Sequence, residues 1–220
     1  MRTEDLIEQM AATARPVHRL PAPFVLALAW LVLAVVLVAL VVLWQGWRPN
    51  LAGQLTEAEI LVPWLASIIT GVLAVLAATH LAAPDRSAMW RWVPLPAFAL
   101  WVATLGGGCF AEWRESGDLT MAPGFDCLPE IMLISLPLSL LLFGLLRHAA
   151  AIRPVSTAVT GALAVAALAS AGMELFHHAD GALTVLVWHA GVVTMLVTGF
   201  ALLGRPLFRL IAIRKPRFAR

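Results

Sequence analysis

Six apolar stretches, each close to twenty residues long, decide what this chain can become. They cover residues 24–43, 60–81, 93–110, 128–146, 155–176 and 182–203. A helix of about 20 apolar residues crosses the roughly 30 Å hydrocarbon core of a bilayer. Inside lipid only a helix or a closed barrel satisfies its own backbone polar groups. The predicted fold class is therefore all-α, a polytopic membrane protein built as a bundle of six transmembrane helices. Composition supports this: 61% of residues are hydrophobic and 13% charged, against about 25% charged in a typical soluble domain. The remaining polar pieces are too short for a soluble domain. The start, MRTEDLIEQMAATARP, mixes charges and has no apolar core before Pro21, so it does not read as a signal peptide.

Charge distribution gives an orientation. An even number of spans puts both termini on one side. That side carries Arg2, Arg15 and Arg19, then Arg86 and Arg91, then Arg147 and Arg153, and finally Arg205, Arg209, Arg214, Lys215, Arg217 and Arg220. The other side carries Arg48 and Arg114 alone. Thirteen basic residues against two follows the positive-inside rule, so both termini are expected in the cytoplasm. For a bacterial inner membrane the organisation is a cytoplasmic amphipathic tail (1–23), a six-helix transmembrane domain (24–203) and a basic cytoplasmic C-tail (204–220). Trp44, Trp47, Trp90, Trp92 and Trp113 fall near span ends, as interfacial tryptophans do. Pro94, Pro96, Pro129 and Pro137 lie near or inside spans, where neighbouring helices must satisfy the carbonyls they free. The fifth span, with its run TAVTGALAVAALASAGM, has the small residues that let helices approach closely, and is expected inside the bundle.

The most polar loop joins the third and fourth spans and lies between Cys109 and Cys127, the only cysteines of the chain. On this orientation it faces the periplasm, an oxidising compartment. Three readings of the pair stand. A structural disulfide would close a loop of about 18 residues and contribute roughly 3 kcal/mol. A redox- or metal-sensing dithiol would change state and shift the two helices. An exchange enzyme is the weakest reading, because such thiols usually come as C-x-x-C and none is present. Gly106, Gly107 and Gly108 precede Cys109 and weaken a helix by about 1 kcal/mol each relative to alanine. They suit a hinge beside a thiol, or close packing with a neighbouring helix.

Glu174, His177 and His178 lie at the same outer face, with His189 about 10 Å deeper in the sixth span at 1.5 Å per residue. Such side chains bind zinc-like ions, although no spacing here matches a strong motif. Hydrogen bonding within the bundle is the plainer role for His189. No resident cofactor is expected; a transiently held metal ion is the one exception these residues allow.

The tail MRTEDLIEQMAATARPVHRLPAP reads as a short helix capped by Thr3 and ended by Pro16. Leu6, Ile7 and Met10 share a face at helical spacing. Helices that lie on lipid are rich in Lys and Arg, whereas this one carries Glu4, Asp5 and Glu8 against Arg2 and Arg15. The balance favours a protein partner with a basic groove over lipid. The basic C-tail is expected to anchor on anionic lipid.

These pieces together resemble a known family. LIEQMAATARPVHRLPAP in the tail, GGGC followed by FAEW, DCLPEI, LFHHAD and VWHAG are similar to the membrane-bound anti-sigma factors called negative regulators of sigma F, over nearly the whole chain. The resemblance implies a regulator, not an enzyme. It would hold an extracytoplasmic-function sigma factor at the inner membrane and release it on a metal or oxidative signal. In the family a cysteine pair is thought to take part in sensing, a role that would fall here on Cys109 and Cys127, ahead of the structural disulfide. The implied partners are a sigma factor and the bilayer, with no direct contact to nucleic acid. The tail is too short for the folded domain that many other anti-sigma factors use, so binding would draw on Leu6, Ile7, Met10 and the cytoplasmic loops. The competing reading is a small transporter or a thiol or metal redox protein centred on Glu174, His177, His178 and His189. Transporters usually show repeated halves and broken or charged helices at mid-membrane, and neither is evident.

Overall fold

A computed structural model describes residues 2–13, 21–117, 127–146 and 153–176, with isolated positions between 191 and 202. Every regular element among the described residues is helical: α1 (Thr3–Ala12), α2 (Pro23–Gln45), α3 (Leu51–Gln54), α4 (Ala58–Ala82), a 3₁₀ turn (Ala88–Trp92), α5 (Leu95–Ser116), α6 (Cys127–Leu146) and α7 (Pro154–Met173). Five helical segments among them are long and apolar enough to cross a membrane, as a multi-pass membrane protein requires. They correspond to the first five expected spans. The sixth, 182–203, lies mostly outside the described residues; where it is described, at Gly191, Thr194, Met195, Thr198, Gly199 and Leu202, the backbone is helical.

Boundaries follow local chemistry. Proline stands in the first turn of α2, α5 and α7, where the missing N–H costs nothing. Gly46 (φ 89°) and Gly117 (φ 69°) end α2 and α5 in conformations that side chains resist. The third span differs from expectation at both ends. Residues 88–92 form a separate 3₁₀ turn, begun by the Ser87 hydroxyl accepting from the Met89 N–H at 3.2 Å. At its other end α5 runs on through Gly106–Gly108 and FAEWRES to Ser116. The tail helix differs too. Arg2, not Thr3, holds its N-cap, with the Arg2 N–H donating to the Asp5 carboxylate at 3.1 Å. It stops at Ala12, before Pro16.

Helix α7 occupies the centre, as its small side chains predict. Ala162, Ala164, Val165, Ala167, Ala169 and Ala171 are all buried. α4 lies along its length, α6 packs against it as well, and α2 bridges α4 and α6. The shared core holds Trp30 and Ala34 of α2, Val75 of α4, Ile134 and Leu138 of α6 and Val165 of α7. Gly172 lets Val38 of α2 approach so near that a Cβ there would stand 3.1 Å from it. α5 is carried mainly by α4, with Trp101 reaching Ala167 of α7 in a small second cluster. α5 and α6, although consecutive, share no extended interface among the described residues. Val25, Leu28, Val32, Val35 and Leu40 of α2 point outward, as side chains facing lipid do.

Several hydroxyls inside the bundle bond to their own helix. Thr70 donates to the Ala66 carbonyl at 2.7 Å, Thr79 to Val75 at 3.1 Å and Thr160 to Ser156 at 2.9 Å. Two tryptophans instead join different helices. Trp30 Nε1–H of α2 donates to the Leu138 carbonyl of α6 at 3.1 Å, and Trp64 Nε1–H of α4 donates to the Ala171 carbonyl of α7 at 3.0 Å. In an apolar medium an unanswered indole N–H costs more than in water, so such bonds fix the mutual register of helices.

Candidate functional site

The bundle has two ends. One gathers the C-termini of α2, α5 and α7 and the N-termini of α4 and α6, including both cysteine positions. The other gathers the remaining helix ends, nearest to the tail.

At the cysteine end the final turn of α7 is closed by other elements. The Leu175 N–H turns to the Gly172 carbonyl, and the Trp64 indole takes the carbonyl of Ala171. Arg48, just beyond α2, donates its backbone N–H to the Leu175 carbonyl at 2.9 Å. Its guanidinium Nη1 reaches Glu174 Oε2 at 3.2 Å. Arg48 is 7% exposed and the Glu174 side chain 35%. A cation at a helix C-terminus is also favoured by the helix dipole. Charge counting treats Arg48 as one isolated residue on the acidic side and Glu174 as one of several acids. The fold joins them across 126 positions, and no sequence spacing reports that.

Cys109 lies near the end of α5, partly buried. Cys127 begins α6, and its side chain is outside the described residues. The two cysteines therefore belong to helices held by different neighbours. Gly106 and Gly107 have open space where a Cβ would stand, so close packing does not require either within the described structure. Of the candidate metal ligands, Glu174 is described and is engaged with Arg48. His177, His178 and His189 lie outside the described residues. Among the described residues no three His, Cys, Asp or Glu side chains gather as a metal site.

At the tail end the loop after α4 is anchored at two points. His80 stacks on Trp90 with ring centroids 3.8 Å apart, and its Nδ1–H donates to the Leu76 carbonyl at 2.8 Å. Arg153, preceding α7, donates to the Arg86 carbonyl at 2.7 Å. In the sequence His80 is an ordinary histidine near the inner end of the second span, since nothing there places Trp90 over it. Met89 and Trp92 remain 73% and 56% exposed on this loop.

The tail helix α1 buries none of its residues. Leu6, Ile7 and Met10 are exposed on it, with Glu4 and Asp5 in its first turn. An exposed apolar stripe on a short acidic helix can lie in a groove on a partner protein.

Among known proteins, no curated sequence and no solved structure matches this chain. The family model described as negative regulator of sigma F matches residues 10–210. That covers most of the chain, which belongs to this family.

Proposed function

We propose that this negative regulator of sigma F acts as a membrane-bound anti-sigma factor whose tail helix α1 captures the sigma factor. Its two termini lie in the cytoplasm, and a thiol event at Cys109 and Cys127 in the periplasm releases the partner. The observation that carries the reading is the unburied apolar stripe Leu6, Ile7 and Met10 on a helix separated from the bundle by a short link. The thirteen-to-two division of basic residues supports the orientation. Cytoplasmic loops, including the exposed Met89 and Trp92, add contact area to a tail too short to bind alone.

The cysteines join this reading through the packing. A bond or shared ion between Cys109 and Cys127 restrains two helices that have no extended interface of their own, so forming or losing it changes their relative freedom. The histidine-rich segment is a second entry for the signal: a metal ion held by Glu174, His177, His178 and His189 would compete with Arg48 for the Glu174 carboxylate.

Deleting residues 2–16 in the full-length protein tests the central claim. Genes that rise when the whole protein is removed should rise as far with the tail deletion alone, at equal protein abundance. Continued repression without the tail assigns partner capture to the loops.

A further inference from the structure

We propose that Trp30 is the positioning residue that fixes the tail-bearing end of α2, and with it the tail, to α6. The inference rests on the reading of α1 as the effector. Helix α2 is the only transmembrane element connected directly to the tail, so its placement sets where the tail emerges.

Among the described residues two polar attachments hold α2, at different depths. At the cysteine end Arg48 binds the last turn of α7 twice, through its backbone N–H to Leu175 and through its guanidinium to Glu174. Nearer the tail, Trp30 binds α6. It lies seven residues into α2, about 10 Å from the helix start at 1.5 Å per residue. It is wholly buried and the largest fully buried side chain of the described core. Its indole N–H donates to the Leu138 carbonyl at 3.1 Å.

Leu138 sits immediately after Pro137, which interrupts the hydrogen-bond ladder of α6. The acceptor lies on the helix that begins at Cys127. The outer attachment acts as a pivot on α7, and the inner one makes the tail end of α2 follow α6. A shift of α6 at the cysteine end then reaches the cytoplasm through the indole, without α5 taking part. The sequence offers no sign of this: Trp30 reads as one more apolar residue of the first span, unlike the interfacial tryptophans.

Trp30→Phe keeps an aromatic ring and removes the donor. Replacing the residue with benzothienylalanine keeps the full tryptophan shape, with sulfur in place of the N–H. Trp64→Phe is the control: it removes a bond of the same kind between α4 and α7 and leaves both polar attachments of α2 unbroken. Each variant is expressed full-length at matched abundance. Two readouts are taken: transcripts of the genes that the whole-protein deletion raises, and photo-cross-linking of the sigma factor from a reactive residue at Gln9, exposed beside the apolar stripe.

Both Trp30 variants should weaken repression and cross-linking together by about five-fold, the shift in an equilibrium that one buried hydrogen bond supplies. Trp64→Phe should leave both unchanged. If the benzothienyl variant represses and cross-links like the parent while the tail deletion derepresses, the positioning role is wrong and the tail reading stands. If the tail deletion itself leaves repression intact, the effector reading fails, and this inference with it. Equal losses in the Trp30 and Trp64 variants reduce the effect to general packing and overturn the proposal.

Discussion

The Arg48 guanidinium lies 3.2 Å from the Glu174 carboxylate while the same residue's backbone N–H holds the Leu175 carbonyl at 2.9 Å. One residue thus joins the end of α2 to the end of α7 through main chain and side chain together.

The two partners of that pair are unequal, and their variants should differ accordingly. Arg48 is nearly buried, whereas Glu174 keeps a third of its side chain in contact with solvent. Glu174→Leu leaves a buried guanidinium without its counter-charge. Arg48→Met leaves a carboxylate that water can reach. We expect Glu174→Leu to cost about 2 kcal/mol and Arg48→Met about half of that, read as loss of folded protein on heating in detergent. The reverse order contradicts this account of the burial.

Glycines at two sites should respond oppositely to alanine. A Cβ on Gly71 would stand 2.6 Å from Cγ of Leu168, so α4 and α7 must separate or Leu168 must leave its rotamer. Gly71→Ala is expected to destabilise by about 1–3 kcal/mol. Gly106→Ala meets nothing within 4 Å and removes a weak helix former. It should be neutral or stabilising by up to about 1 kcal/mol. Thermal denaturation of the purified variants in one detergent distinguishes the two sites.

Exposure on the tail helix ranks its contributions to partner capture. Ile7 and Met10 are 62% and 65% exposed, against 43% for Leu6. The first two have more apolar surface left to bury, and burying such a side chain fully is worth about 1.5–3 kcal/mol. Ile7→Ser and Met10→Ser should each weaken sigma-factor co-purification by about ten-fold or more, with Leu6→Ser milder. Uniform small effects would mean that the stripe is not the contact.

Serine at Cys109, at Cys127 and at both should give one phenotype if the thiols work as a pair. Protein abundance is expected to hold while the sigma-dependent transcripts stop responding to metal or oxidant. A fall in abundance alone, with the response kept, would make the pair a structural staple of about 3 kcal/mol.

The sequence carried the architecture because lipid leaves few choices. A run such as 24–43 must be helical at membrane depth, and the small residues of 155–173 could only be useful where helices meet closely. The five described spans fall within a few residues of the apolar stretches, apart from the extension of α5 and its separated 3₁₀ turn. Those two departures are local: Pro94 starts a new helix, and α5 outlasts its own hydrophobicity until Gly117. Pairings were illegible. Arg48 with Glu174, Trp30 with Leu138 and His80 with Trp90 depend on which helices are neighbours, and no periodicity within one helix encodes that. The tail stripe was visible because it is written within a single turn-to-turn repeat.

The closed last turn of α7 also orders the making of the protein. Arg48 and Trp64 are synthesised well before the carbonyls and carboxylate they bind. Arg48 precedes Glu174 by 126 residues, roughly 6–25 s of translation at 5–20 residues per second. During that interval the Arg48 guanidinium and the Trp64 indole have only water and headgroups at the membrane surface as partners. A nascent chain arrested before α7 therefore lacks both attachments, and arrival of the fifth span is the step that supplies them.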